Sequence, residues 1–179
     1  MDIWLRYFST VNSVNGLFFC YNVLGMTKEE INSFVHLVEK IKKENLYIPH
    51  LPLKLWYAVH SFLALPAVEV LMTRTGRDFL LVWRKDKYFK GWEIPGGYIG
   101  YKESLKEACQ RVAKREVGLI PKFQKVLTAE VWLDHPYSSG VSIVCLCKVK
   151  GEPKNGRFFT EIPPDTLGHH PKFLKAFLK

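Results

Sequence analysis

Between residues 95 and 119 a tight glycine turn runs into a stretch that carries charged side chains at fixed offsets. Five residues separate Gly97 from Glu103 and seven separate Glu103 from Arg111, after which come Ala113, Glu116, Gly118 and Leu119. Glycines at 96 and 97 allow the main chain to turn sharply and to come close to phosphate oxygens. If the stretch after Glu103 is helical, positions 112 and 116 lie one turn apart on one face, so acids at both would double the negative charge there. This chain has Val112 and Glu116, with Arg115 between them, so a single carboxylate is left on that face.

The segment resembles a Nudix box, whose pattern is G, five residues, E, seven residues, R-E-U-x-E-E-x-G-U, with U aliphatic. Val112 stands where the pattern has the glutamate of R-E, and Arg115 where it has the first glutamate of E-E. The strand-like run 79–84, then Gly91-Trp92-Glu93-Ile94-Pro95-Gly96-Gly97, then a helix, repeats the order found in that family, including an aromatic ahead of Pro-Gly-Gly. The resemblance implies an α/β fold, a Nudix-type alpha/beta/alpha sandwich with a mixed sheet.

It also implies roles. In the family, glutamates of the box helix hold divalent cations against a diphosphate and a turn carbonyl adds a ligand, which here puts the metal on Gly96 and Glu116. One Mg²⁺ or Mn²⁺ ion is expected, because Mg²⁺ keeps several waters and needs only one or two protein carboxylates when substrate phosphates complete its shell. A second ion is opposed by the positive charge of Arg115, which at about 6 Å and an effective dielectric near 20 adds on the order of 3 kcal/mol for each unit of charge before screening. Arg115 is expected beside the substrate. Glu103 and Arg111 would form an ion pair that ties the loop to the helix.

The arginine, the aliphatic residue and the single retained glutamate resemble the GDP-mannose mannosyl hydrolase branch. Arg84 and Glu69 fall where that branch has an arginine and an acid near the diphosphate, and residues 131–135 are similar to its Val-Trp-x-His stretch. The guanidinium fork of Arg84 suits a diphosphate leaving group. Attack by water needs a proton acceptor within hydrogen-bond reach, and the candidates are His135, Asp134, Glu152 and the pair His169 and His170, with His135 and Glu152 ranked first. Trp92, Tyr98 and Tyr101 could stack on a base, although aromatics beside a glycine turn more often serve packing. The expected activity is metal-dependent hydrolysis of a nucleoside diphosphate-linked substrate such as GDP-mannose. The alternative is a Nudix-fold module that has lost turnover and binds or senses nucleotides.

The elements that must position these residues follow from periodicity. Thr27 with Glu30 forms a capping box ahead of Ile31, Phe34, Val35, Val38 and Ile41, which predicts a helix over 28–45. Pro52 opens a second helix that Pro66 stops. Together they predict a helical hairpin that could shape access, form a homodimer surface or cover one face of the sheet. Residues 67–73 and 79–84 predict strands flanking a hairpin turn at 74–78, the box helix spans 104–117, strands follow at 126–134 and 141–149, and a short helix at 172–178 ends the chain. The domain division expected is an extension with the hairpin over 1–65 and the catalytic domain over 66–179.

At 179 residues the chain fits one compact domain with a small appendage. A net charge of +9 favours anionic ligands, but basic and aromatic residues do not interleave as in RNA-binding chains, which argues against nucleic acid. The apolar patch at 16–25 is too short to cross a bilayer. Four cysteines without metal-ligand spacing, Cys20, Cys109, Cys145 and Cys147, read as reduced and buried, and with no signal peptide of the usual form they point to the cytoplasm.

Overall fold

The computed structural model describes residues 25–44, 51–133 and 140–179. The chain divides into two compact units, Met1–Leu46 and Tyr47–Lys179. The first contains α1 (Lys28–Lys43), whose start is fixed by Thr27 and Glu30: the Thr27 hydroxyl accepts from the Glu30 amide at 3.2 Å while the Glu30 carboxylate accepts from the Thr27 amide at 2.7 Å. The second helix, α2 (Leu53–His60), belongs to the other unit, so the division falls between the two helices and not at residue 65.

The larger unit is built on two sheets. β1 (Leu65–Thr73), β4 (Gly96–Tyr98), β5 (Lys122–Trp132) and β6 (Gly140–Lys148) form a mixed sheet in the order β4-β1-β6-β5, with β1 parallel to β6 and the other pairs antiparallel. β2 (Phe79–Lys85), β3 (Lys90–Glu93) and β7 (Arg157–Phe159) form an antiparallel sheet in the order β3-β2-β7. Helices α3 (Leu105–Val117) and α4 (His170–Leu178) complete the α/β fold.

Alternation along β1 assigns its two faces. Val68, Val70 and Met72 join Leu80, Cys145, Cys147 and the buried face of α3 in one apolar cluster. Leu71 joins Phe79, Leu81, Ile94, Val144, Phe173 and Leu174 of α4 in a second. Glu69 has the parity of Leu71 and so is turned away from the box helix.

Residues 74–78 do not make the expected hairpin turn, because β1 and β2 lie in different sheets. Asp78 organises the connection: its Oδ1 accepts from the Thr73 hydroxyl, the Arg74 and Thr75 amides and the Thr75 hydroxyl, at 2.8–3.0 Å. The strand expected at 126–134 begins four residues earlier, at Lys122, and passes two irregularities in its pairing with β6. Cys109, Cys145 and Cys147 are free and buried; Cys20 lies outside the described residues. Among those described, no helix is long and apolar enough to cross a membrane.

Candidate active site

The box folds as a strand, a loop and a helix held by three local devices. Ser104 caps α3, accepting from the Glu107 amide at 3.3 Å while the Glu107 carboxylate accepts from the Ser104 amide at 2.9 Å. Gly118 ends the helix in the left-handed region at φ 71°, where a Cβ would come within 2.7 Å of the Lys154 side chain. Between them, Glu103 accepts from Arg111 at 2.6 and 2.7 Å, and Arg111 also donates to the Tyr98 carbonyl at 2.8 Å. The Gly100 amide donates to Glu103 as well, at 2.7 Å. This pair therefore ties β4, the loop and α3 together and fixes the glycine turn over the helix.

Beside the turn lies a cavity of about 360 Å³. Its polar wall contains Glu69, Arg84, Glu93, Arg115 and Ser142, and its apolar wall includes Trp56 and Trp132. Gly96 and Gly97 line it too, and space at both is tight: a Cβ on Gly96 would meet Glu69 Oε2 at 2.5 Å, and one on Gly97 would meet Val112 and Arg115 at 3.1–3.2 Å. Val112 is fully buried in the α3 cluster, so the position without its acid serves packing beneath the turn.

Three carboxylates with raised pKa values occupy this region. Glu69 accepts from the Ser142 hydroxyl at 2.8 Å, yet burial pushes its pKa up to about 8, with the charges of Glu93 and Glu116 adding to the rise. Burial likewise raises Glu93 to about 7, against the pull of Arg84, which donates to it at 3.2 Å. Glu116 is raised by burial and held back by Arg115. Mutual repulsion and desolvation thus make this cluster receptive to cations.

One cation is already in place. Arg115 Nη2 donates to Glu116 Oε1 at 2.6 Å and to the Gly96 carbonyl at 3.2 Å, the two oxygens expected to hold a metal. Among the described residues no group of three or more His, Cys, Asp or Glu side chains converges as a ready metal cage. Two hard oxygens that meet at one point nonetheless fit a single Mg²⁺ or Mn²⁺ once the guanidinium is displaced, with water and substrate completing the shell.

Other expected residues lie as follows. Arg84 lines the cavity, paired with Asp86 and Glu93. Glu152 is exposed, accepts from Arg74 at 2.7 Å just beyond the end of β1, and is not part of the cavity lining. Trp92 packs against Trp83 and Phe159 at 5.2 and 5.0 Å between ring centres, with the Arg157 guanidinium over its ring, and is not part of the cavity lining. His135 and Asp134 lie outside the described residues. His170 lines the cavity, but its Nδ1 accepts from the Ile94 amide at 3.2 Å and burial lowers its pKa to about 3, so it stays neutral.

Glu93 and Ser142 were missed as site residues. For Glu93 a signal existed, since strand alternation sends it to the face opposite Trp92. Ser142 becomes meaningful only through the parallel pairing of β6 with β1, where Ala67 stands opposite Ser142.

Residues 63–172 match the family model described as NUDIX domain. The chain is 33% identical over 123 residues to an ADP-ribose pyrophosphatase of Methanocaldococcus jannaschii, covering 63% of this chain and 72% of that protein. Among solved structures, a MutT NUDIX hydrolase from Burkholderia pseudomallei superposes with a TM-score of 0.57 at 20% identity, covering 64% of this chain and 98% of the other. The MutT protein of Methanosarcina mazei Go1 gives 0.55 at 19% identity, covering 64% and 92%. These two structural likenesses concern the fold.

Proposed function

The chain belongs to the Nudix family and is a Nudix hydrolase, and on that premise we propose that it cleaves a nucleoside diphosphate joined to a sugar. The observation that carries this reading is the cavity at the box turn, where two guanidiniums, Arg84 and Arg115, stand beside the carboxylates Glu69 and Glu93, with Glu116 bonded to Arg115. Such a wall suits a ligand with two adjacent phosphates and an attacking water. ADP-ribose ranks ahead of GDP-mannose: the relative at 33% identity is named for ADP-ribose, whereas only the arginine and aliphatic pattern of the box favours the mannosyl branch.

In this reading Arg84 and Arg115 bind the phosphate oxygens, Arg115 leaving Glu116 and Gly96 to do so. Glu116 and the Gly96 carbonyl would hold one Mg²⁺, which when bound supplies Lewis-acid neutralisation of the diphosphate charge. Glu93 takes a proton from the attacking water as its oxygen bonds to phosphorus and the bridging oxygen leaves with its electron pair. Its placement in the wall beside Arg84, with a pKa near neutrality, suits that role. Ser142 keeps Glu69 oriented behind the turn.

The test is hydrolysis of ADP-ribose and GDP-mannose with Mg²⁺ in ¹⁸O-water, with products separated and the label located by ³¹P NMR. Label in a phosphate is expected, with loss of roughly a hundredfold or more in kcat for Glu116→Gln and Glu93→Gln. Equal rates for the variants and the unaltered chain would remove the assigned roles. Tight nucleotide binding without turnover under any metal would select the alternative, a nucleotide-binding module, which is favoured by the Arg115 contacts with both oxygens expected at the metal.

A further inference from the structure

A second cavity, of about 440 Å³, opens next to the first and shares Trp56 and Arg84 with it. Its other walls include Tyr57 from α2 and Asp86, Lys87 and Tyr88 from the turn after β2. The part of this wall formed by Leu51, Leu53, Trp56 and Tyr57 lies ahead of the span 63–172 that matches the family, and the rest lies within it. Its aromatic content is concentrated: Trp56 and Tyr57 meet edge to face at 5.1 Å, and Tyr88 joins them in the lining. Asp86 fixes the far wall, accepting from the Tyr88 and Phe89 amides at 2.8 and 2.9 Å and also from Arg84.

We propose that this cavity takes the nucleobase of the substrate. The proposal rests on the diphosphate reading above and adds the direction in which the ligand lies. With two phosphates against Arg84, one end of the ligand must leave past the Trp56 and Arg84 junction, and the surface it meets there is aromatic. One face of Trp56 is stacked on His60 at 3.6 Å and Lys87 Nζ lies 5.0 Å over the Tyr88 ring, so a planar base with apolar faces and polar edges would stack on the part-exposed Tyr57 and Tyr88 rings, with Lys87 moving to its edge. A sugar, with hydroxyls in all directions, would leave those ring faces poorly used. The base therefore sits against α2, and the sugar group beyond the second phosphate occupies the end of the first cavity near Trp132 and Ser142.

Calorimetric titration of the full chain with α,β-methylene-ADP and with methylenediphosphonate, which keeps the two phosphorus groups and lacks the nucleoside, tests this. The nucleotide should bind at least about tenfold tighter, and Tyr57→Ala and Tyr88→Ala should each remove most of that difference while leaving the affinity for methylenediphosphonate unchanged. Tyr88→Phe, which keeps the ring, should retain it. An unchanged diphosphonate affinity also shows that the variants are folded. Equal affinity for the two ligands, or parallel loss of both in the Tyr→Ala variants, overturns the proposal. Failure of the unaltered chain to bind either ligand would instead sink the diphosphate reading itself.

Discussion

Arg115 and its chain neighbour Glu116 are joined at 2.6 Å, and the same Arg115 nitrogen reaches back to the carbonyl of Gly96 at 3.2 Å. The guanidinium therefore competes with any divalent cation for the same two oxygens. At about 6 Å and an effective dielectric near 20 its charge opposes each unit of charge on the ion by on the order of 3 kcal/mol, about 6 kcal/mol for a divalent cation, and because Arg115 is half exposed, solvent and salt reduce that severalfold. Arg115→Gln is expected to bind Mn²⁺ about tenfold tighter, read by electron paramagnetic resonance of free Mn²⁺ without substrate. Equal affinities would mean that the arginine does not guard the site.

The burial of Glu69, only partly offset by its hydrogen bond from Ser142, gives stability a pH dependence. Glu69 has a pKa near 8 and Glu93 near 7, both raised above the unfolded range by burial. The folded state thus binds more protons than the unfolded one, and stability that is complete below the ordinary carboxylate value of 4.5 is lost progressively as pH climbs from there to about 8. In EDTA, the melting temperature should fall across this window, and Glu69→Gln, which cannot ionise, should flatten much of the fall and melt higher than the unaltered chain at alkaline pH. Parallel curves for the two proteins would remove Glu69 as the cause.

The box helix was legible because local signals agree: Ser104 with Glu107 at one end, Gly118 at the other, and apolar positions at 108, 109, 112, 113 and 117 on one face. The Glu103 and Arg111 spacing of eight residues carried the loop with it. What could not be read were elements set by partners distant in sequence. β3, β4 and β7 have three or four residues each and exist through pairing with β1 and β2. Trp92 reads equally as a stacking platform or as packing until Trp83 and Phe159 are seen against it. Glu152, separated by 78 residues from Arg74, has its role decided by that long-range contact.

Asp78 makes an acid-side prediction. Backbone and hydroxyl donors of Thr73, Arg74 and Thr75 hold its carboxyl well below the usual range, against the cost of burial. A depressed folded pKa contributes stability that is complete above the unfolded pKa and is lost as pH falls through the folded one. Asp78→Ala leaves several buried donors unpaired and is expected to cost about 3 kcal/mol in urea unfolding at neutral pH, with the gap to the unaltered chain narrowing as pH drops below about 4. A constant gap down to strong acid would show that the loss comes from packing and not from the charge.

Gly96 faces Glu69 so closely that a methyl group cannot be added without movement. A Cβ there would lie 2.5 Å from Glu69 Oε2 and 3.2 Å from the Val68 carbonyl. The Glu69 side chain is buried on Ser142, so it cannot swing into solvent, and relief must break that hydrogen bond or shift the turn. Gly96→Ala should therefore destabilise by about 2 kcal/mol. Glu69→Ala removes the obstructing carboxyl, so adding Gly96→Ala to it should cost at least about 1 kcal/mol less than in the unaltered chain, a coupling that urea unfolding of the four proteins in a double-mutant cycle resolves. Additive costs would mean that the glycine is needed for the turn itself and that Glu69 places no limit on it.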